Sequence, residues 1–96
     1  MSGELWVDDS KPCPYGCAVA RTYDEALRLL RSFDYDVLYL DHDLGEPRTG
    51  YDLLMQLIAD DRVPPKVVCI SWNPVGRQRI EAAVQAHQTS TQEHDA

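Results

Sequence analysis

Four aspartates and a histidine follow two short apolar runs of the sequence and could bind a metal ion together. Asp8 and Asp9 come directly after the first run, and Asp41, His42 and Asp43 come directly after a later one. Carboxylates that lie close together repel one another unless they take up protons or a cation neutralises them. A cluster of oxygen ligands favours Mg²⁺, Mn²⁺ or Ca²⁺ over softer metals. The pattern therefore predicts a divalent-cation site at which Asp8, Asp9, Asp41 and Asp43 converge, with Asp8, Asp9 and Asp41 as its metal ligands.

A phosphate-containing small molecule or nucleotide is the ligand that such a site favours. Mg²⁺ keeps several waters and often bridges protein carboxylates to phosphate oxygens. Hydroxyl, amide and basic side chains in the same loops, and backbone N–H groups at the start of a helix, could contact those oxygens. The candidate ligand-binding residues are Lys11, Arg48, Thr49, Trp72 and Asn73. The candidate catalytic residues are Asp41, His42, Asp43 and Ser71.

Two of these residues also have a purely structural interpretation. His42 lies between two acids that favour its protonated form, so it could act as a general acid or base. At the end of a strand, however, alternation turns His42 away from Asp41 and Asp43, and its ring could instead pack against a helix. Trp72 could offer a flat surface on which a base stacks, or it could cover an edge of the core.

The elements that must position these residues are predicted from the apolar pattern. Four apolar runs predict strands, at residues 5–7, 17–20, 37–40 and 67–70. Three stretches have helical spacing, and Thr22 and Thr49 are predicted to cap the first two. The predicted inner faces of these helices are Tyr23, Ala26, Leu27, Leu30 and Phe33; Leu53, Leu54, Leu57 and Ile58; and Ile80, Ala83, Val84 and His87. This alternation predicts an α/β fold with a parallel sheet, whose strand-end loops meet at one edge.

The chain is predicted to form one domain followed by a short tail. Its 96 residues fit a single domain, which we place at residues 1–87. Residues 88–96 are polar and lack helical periodicity. This tail is therefore predicted to fray or to be disordered.

The charge and hydropathy of the chain limit its partners. The net charge is −7 and the pI is about 4.7. An acidic protein repels phosphate backbones, which argues against direct binding to duplex nucleic acid, although an acidic face could serve solubility or bind a host protein. No stretch approaches the roughly 20 apolar residues of a membrane span, and the N-terminus lacks a signal-peptide pattern. The expected location is the cytoplasm, without a membrane partner.

The three cysteines predict reduced thiols, because their number is odd and no signal peptide is expected. Cys13 and Cys17 have C-x3-C spacing, which differs from the C-x2-C spacing that is usual for zinc. A zinc site that these two form with His42 is a minor alternative. Cys69 lies in an apolar run and is predicted to be a small core residue.

Four segments of the chain resemble one known family. They are residues 5–9, 40–45, 49–52 and 71–76, with the sequences LWVDD, LDHDLG, TGYD and SWNPVG. In this order and spacing, over about residues 4–85, the chain is similar to the cyclic-phosphate processing receiver domain. That family occurs in short bacterial and phage proteins and is related to response-regulator receivers.

The resemblance implies a truncated receiver fold, with flavodoxin-like topology, about four parallel strands and three flanking helices. It implies that Asp8 and Asp9 are the acidic pair after the first strand, and that Asp41 is the phospho-accepting aspartate. It also makes Ser71 the hydroxyl residue of the later loop, and Asp43 the residue whose backbone carbonyl binds Mg²⁺. The helix after the first receiver strand is missing here, as is the last strand with its lysine.

Two functions from different classes follow from the resemblance. The first is a Mg²⁺-dependent phosphoesterase that acts on or binds cyclic-phosphate nucleotides. The second is a non-catalytic acidic module, encoded by a phage or a bacterium, that binds a nucleotide signal or inhibits a host protein. The second is favoured by Ile70, which stands where the family has a histidine. A receiver-type phosphorylation switch at Asp41 is a third interpretation, which the missing lysine disfavours.

Overall fold

The fold is a four-stranded parallel sheet with three helices, as the alternating pattern predicts. The computed structural model describes the backbone of residues 3–95 and the side chains of residues 3–88. The elements in chain order are β1 Gly3–Val7, β2 Ala18–Ala20, α1 Tyr23–Ser32, β3 Tyr35–Leu40, α2 Gly50–Asp60, β4 Lys66–Cys69 and α3 Pro74–Asp95. No helix separates β1 from β2, so the helix that the resemblance predicts to be missing is absent from this stretch.

The strand order of the sheet is β2-β1-β3-β4, and all three neighbouring pairs are parallel. Val7 pairs with Ala20 on one side and with Leu40 on the other, and Leu40 pairs with Cys69. The last residues of all four strands therefore lie in one row. Because the strands are parallel, the loops that follow them emerge at the same edge.

The side chains of the central strands alternate between two faces of the sheet. Leu5, Val7, Leu38 and Leu40 are fully buried and pack into one cluster with the helices. The other buried members of this cluster are Ala20, Tyr23, Ala26, Leu30, Leu44, Leu53, Leu54, Leu57, Cys69 and Ile80. Each fully buried leucine stabilises the fold by roughly 1.5 to 3 kcal/mol. This core holds the sheet against the helices.

The loop after β1 covers the second face of the sheet around Trp6. The indole N–H of Trp6 donates a hydrogen bond to the Lys11 carbonyl at 3.1 Å. The ring centroid of Trp6 lies 6.3 Å from that of Tyr15 and 5.5 Å from that of Tyr39. Trp6 is consequently only 6% exposed. The loop thus covers this part of the sheet, and no helix lies between β1 and β2.

The predicted capping threonines begin the first two helices. Thr49 and Asp52 form a complete capping box at α2, in which each side chain accepts a backbone N–H of the other. At α1 the Thr22 hydroxyl accepts the Glu25 N–H at 3.1 Å, but the Glu25 carboxylate accepts the N–H of Arg21 instead of that of Thr22. Loss of an N-cap side chain typically costs about 1 kcal/mol, so both residues help to define where the helices begin.

Phe33 was predicted to lie on the buried face of α1, and this prediction is wrong. The side chain of Phe33 is 59% exposed. The helix ends at Ser32, and Phe33 has extended backbone with φ −133°. Since the helical period stops one residue earlier, the side chain leaves the apolar face that the spacing assigned to it.

Cys13 and Cys17 form a disulfide, which contradicts the prediction of reduced thiols. The turn at residues 14–16 brings their Cα atoms to 6.3 Å, a separation that a disulfide can bridge. Sequence spacing alone did not reveal this turn geometry. Cys69 is free and buried, as predicted, and burial raises the pKa of its thiol, which keeps it protonated at neutral pH.

The third helix is longer than the sequence pattern indicates. It continues to Asp95, so the backbone of most of the predicted tail is helical. No glycine or proline follows Gly76 in the sequence, and nothing therefore interrupts the helix after its last core contact. The side chains of residues 89–96 lie outside the described part of the chain. Within that part, none of the helices combines the length and apolarity that crossing a bilayer requires.

Candidate functional site

Three carboxylates meet at the carboxyl edge of the sheet. One oxygen from each of Asp8, Asp9 and Asp41 can be chosen such that all three lie within 4.8 Å of one another. Asp8 is fully buried, Asp41 is 6% exposed, and Asp9 is exposed. These are the three residues that the sequence assigns to a divalent cation, and oxygen ligands at this spacing suit Mg²⁺, Mn²⁺ or Ca²⁺.

The backbone of the two central strands positions two of these acids. The N–H of Asp8 donates to the Ala20 carbonyl at 3.2 Å, and that of Asp41 donates to the Val7 carbonyl at 3.0 Å. The ladder of hydrogen bonds thus continues one residue past β1 and β3. The backbone of both aspartates is therefore fixed by strand pairing, which places their carboxylates at the same edge of the sheet.

The carboxylate of Asp8 is only partly satisfied. Its Oδ1 accepts the Ser10 N–H at 3.3 Å. Its Oδ2 is buried and has no hydrogen-bond partner among the described residues. A buried charged oxygen without such a partner is costly. This atom is therefore a second feature, besides the grouping of the acids, that a cation at the cluster would satisfy.

Lys11 extends its ammonium into the acidic cluster. Its Nζ lies 3.8 Å from Asp8 Oδ2 and 3.9 Å from Asp41 Oδ2, and it donates a hydrogen bond to the Ile70 carbonyl at 3.2 Å. These ion-pair distances are longer than a direct hydrogen bond. Three carboxylates and one ammonium leave two formal negative charges, which a divalent cation would neutralise.

Arg21 holds the Lys11 loop in place, and the sequence analysis did not identify it. Its Nη1 donates to the Lys11 carbonyl at 2.7 Å and to the Asp8 carbonyl at 3.2 Å. The Trp6 indole donates to the same Lys11 oxygen. Arg21 follows β2 directly, so the rule that strand-end residues meet at one edge could have indicated it.

Two glycines allow the loops of the site to approach closely. Gly45 has φ +70°, and a Cβ there would lie 2.7 Å from Asp9 Oδ2. Gly50 opens α2 directly against the backbone that carries Asp41, and its N–H donates to the His42 carbonyl at 2.7 Å. Any larger residue at Gly50 would have to displace the segment that holds Asp41.

His42 and Asp43 point away from the three-acid cluster. The Nδ1 of His42 lies 3.1 Å from Asp43 Oδ1, and its ring packs against Gly76 in the first turn of α3. The Asp43 side chain is 62% exposed. Alternation at the end of the strand was predicted to turn His42 away from both Asp41 and Asp43, and for Asp43 this prediction is wrong, because the two side chains are in contact. The three-acid group therefore does not include Asp43, although the sequence placed all four aspartates together.

Ser71 lies at the same edge, and Asn73 and Thr49 are used as helix caps. Ser71 is 4% exposed, and its Oγ accepts the Asn73 N–H at 3.1 Å, which leaves the hydroxyl proton for another partner. Asn73 Oδ1 accepts the N–H groups of Val75 and Gly76 at the start of α3. Asn73 and Thr49 thus shape the site, while their side-chain oxygens are already engaged.

Arg48 and Trp72, the remaining candidates, differ in where the structure places them. Arg48 pairs with Asp24 at 3.0 Å and stacks on the Tyr23 ring at 4.0 Å, so its guanidinium faces α1 rather than the acids. Trp72 is 87% exposed, which excludes the role of covering the core. The Lys11 ammonium lies 5.8 Å from the centroid of the Trp72 ring.

Comparisons with known proteins match this chain to a receiver-domain family and to the fold of response regulators. The family model described as "Cyclic-phosphate processing Receiver domain" matches residues 3–86. Two solved response regulators have similar folds. MaeR bound to beryllium trifluoride has 20% identity and a TM-score of 0.63, over 94% of this chain and 99% of that one. TrrA from Thermotoga maritima, in complex with Mg²⁺ and beryllium fluoride, has 17% identity and a TM-score of 0.53, over 86% and 99%. No match was found among curated proteins.

Proposed function

The chain belongs to the family of cyclic-phosphate processing receiver domains, and on this basis we propose that it binds cyclic-phosphate nucleotides in a metal-dependent manner. A divalent cation such as Mg²⁺ is held by Asp8, Asp9 and Asp41. The observation that carries the proposal is the buried Oδ2 of Asp8, which lacks a hydrogen-bond partner beside two other carboxylates. A phosphate ester is the ligand that suits both a divalent-cation site and the description of this family.

The residues around the cluster are suited to an anion that approaches a cation. A divalent ion bound there would supply positive charge to phosphate oxygens and promote attack by water. The Lys11 ammonium lies beside Asp8 and Asp41, two of the proposed metal ligands. A phosphate bound to the cation would therefore be near this ammonium, which could donate to one of its oxygens. The Ser71 hydroxyl can donate to a second oxygen. The similar TrrA structure contains Mg²⁺ with beryllium fluoride, which supports a cation of this kind at a receiver site.

Binding without turnover is the second candidate, and two observations favour it. By the resemblance, Ile70 stands where the family usually has a histidine, and the isoleucine side chain offers no group that can transfer a proton. His42 faces Asp43 and α3 rather than the acids. In the binding version the domain recognises a nucleotide signal, or presents its acidic edge to a basic host protein.

A panel of nucleotides tests the proposal and separates its two versions. The protein is titrated calorimetrically with 2′,3′-cyclic and 3′,5′-cyclic mononucleotides, with Mg²⁺, with Mn²⁺ and with chelator, and product formation is followed in parallel. We expect binding that requires the metal. Hydrolysis that disappears in Asp41→Asn identifies an esterase, whereas binding without product identifies a recognition module. If no nucleotide binds in the presence of either metal, the proposed function is wrong.

Replacing Lys11 by glutamine should change metal and nucleotide affinity in opposite directions. Removal of the ammonium increases the negative charge around the cation, so Mg²⁺ alone should bind more tightly. The cyclic nucleotide should bind about tenfold more weakly or worse, because a charged hydrogen bond to phosphate is lost. Calorimetric titration with each ligand measures both effects.

Lys66 provides the matched control for this charge change. It is the only other lysine of the chain, and it is exposed at the first residue of β4, at the opposite edge of the sheet. Lys66→Gln should leave both affinities close to those of the wild type. If Lys11→Gln and Lys66→Gln bind the nucleotide with equal affinity, Lys11 does not contact the phosphate.

A further inference from the structure

A groove next to the acidic cluster opens between the loop after β1 and the loop after β4. It has a volume of about 310 Å³, which lies at the lower end of the range for small-molecule sites. Its lining residues are Trp6, Lys11, Ile70, Ser71, Trp72 and Arg77. Larger cavities, of about 320, 360, 420 and 580 Å³, lie elsewhere, and neither Lys11 nor Ser71 lines any of these four. Lys11 and Ser71 connect the groove to the acids.

Trp72 forms an exposed flat wall of this groove. Trp72 is 87% exposed, although the indole ring is one of the largest apolar surfaces that a side chain can present to water. The other exposed aromatic residues, Tyr15 and Phe33, do not line the groove. A planar ring that stacks on the indole would remove both apolar surfaces from water. The groove therefore suits an aromatic ligand better than an aliphatic or a purely ionic one.

Two basic side chains, Lys11 and Arg77, line the groove together with Trp72, although the protein as a whole is acidic. The Lys11 ammonium lies 5.8 Å from the Trp72 ring centroid. The Arg77 guanidinium also lines the groove, and its Nη1 donates to the Ser71 carbonyl at 3.5 Å. Arg77 also pairs with Glu81 at 3.3 Å. With a net charge of −7 for the chain, two basic groups beside one aromatic wall favour a ligand that carries a flat ring and an anionic group together.

We propose that the groove is a nucleobase subsite in which the base stacks on Trp72 while its cyclic phosphate contacts Lys11 and the acidic cluster. This inference rests on the proposed function and adds the part of the ligand that is recognised besides the phosphate. Stacking depends on the face of the ring, which every base has, so the subsite should accept different bases. A purine should bind more tightly than a pyrimidine, because it covers more of the indole.

A comparison of probes with and without a base tests the subsite separately from the phosphate site. The probes are 2′,3′-cyclic and 3′,5′-cyclic adenosine monophosphate, and 1-O-methylribose 2′,3′-cyclic phosphate, which has no base. Each is titrated calorimetrically into the full chain with Mg²⁺. A stacked base contributes about 1–3 kcal/mol. 2′,3′-Cyclic adenosine monophosphate should accordingly bind about 5 to 150 times more tightly than the base-free probe.

Trp72→Ala should remove that difference and leave the base-free probe unaffected. Its matched control is Val75→Ala, which truncates another exposed apolar side chain, 67% exposed, three residues along the chain and outside the groove. The control should bind all probes like the wild type. Quenching of tryptophan fluorescence by the nucleotide should also be lost in Trp72→Ala, because only the buried Trp6 remains.

Three other results would contradict the proposed nucleobase subsite, and each can be told apart from the others. If the base-free probe binds as tightly as the nucleotides, or if Trp72→Ala keeps wild-type nucleotide affinity, the base is not recognised and the phosphate site stands. If Trp72→Ala weakens all probes equally, the indole only supports Lys11, and the subsite is again wrong. If the wild type binds neither class of probe, both the subsite and the proposed function fail.

Discussion

Asp41→Asn is expected to abolish the stabilisation of the protein by divalent cations. Asp41 supplies one of three carboxylates that lie within 4.8 Å of one another, and an amide is a much poorer partner for a cation. A cation at about 100 times its Kd stabilises the folded state by about 2.7 kcal/mol. For a domain of this size, that corresponds to a rise in Tm of about 10 to 20 °C, which the variant should lack.

The measurement is thermal unfolding with increasing Mg²⁺ and with chelator, for the wild type and for two variants. Asp43→Asn is the matched control, since it makes the same chemical change two residues away, at a carboxylate that pairs with His42. It should respond to Mg²⁺ as the wild type does. In chelator, Asp41→Asn should unfold no earlier than the wild type, because one charge has been removed from a repelling cluster. An undiminished Mg²⁺ response in Asp41→Asn would exclude Asp41 as a ligand.

Gly50→Ala is expected to destabilise the fold by about 3 kcal/mol or more. The added Cβ would collide with the Asp41 carbonyl oxygen, and it would lie 2.9 Å from the Asp41 carbonyl carbon and 3.2 Å from the His42 Cα. These are backbone atoms, which cannot rotate aside as a side chain can. Relief of the collision requires α2 to move away from the end of β3, so Mg²⁺ affinity should fall together with stability.

Urea unfolding measures the effect, and Gly3→Ala provides the control. A Cβ at Gly3, in the first residue of β1, meets no atom within 4 Å. The control should stay within about 0.5 kcal/mol of the wild type. The stability of a small domain is only about 5 to 15 kcal/mol, so the change at Gly50 is a large share of the total. Wild-type unfolding midpoints for Gly50→Ala would mean that α2 does not begin this close to Asp41.

The order of strands and helices, and the meeting of Asp8, Asp9 and Asp41, were predictable from the sequence alone. Apolar runs and helical spacing are local properties of the chain, and a parallel sheet brings the residues after its strands to one edge whatever the loops contain. Asp8 and Asp41 directly follow β1 and β3, so their positions depend on strand pairing alone. The same alternation predicted that His42 turns away from Asp41, but it did not predict the contact of His42 with Asp43.

Only the tertiary structure decided which way the other side chains of the site point. Arg48 was predicted to bind the phosphate of the ligand, but it pairs with Asp24 of α1. The packing of α2 against α1 brings this acid and the Tyr23 ring close to the Arg48 guanidinium. Lys11 reaches two acids through a loop whose path depends on Trp6 and Arg21. Loop residues have no periodicity that predicts their direction, and long side chains bind whatever partners the folded chain places near them. Sequence pattern thus determined which backbone positions meet, and non-local contacts determined which charges meet there.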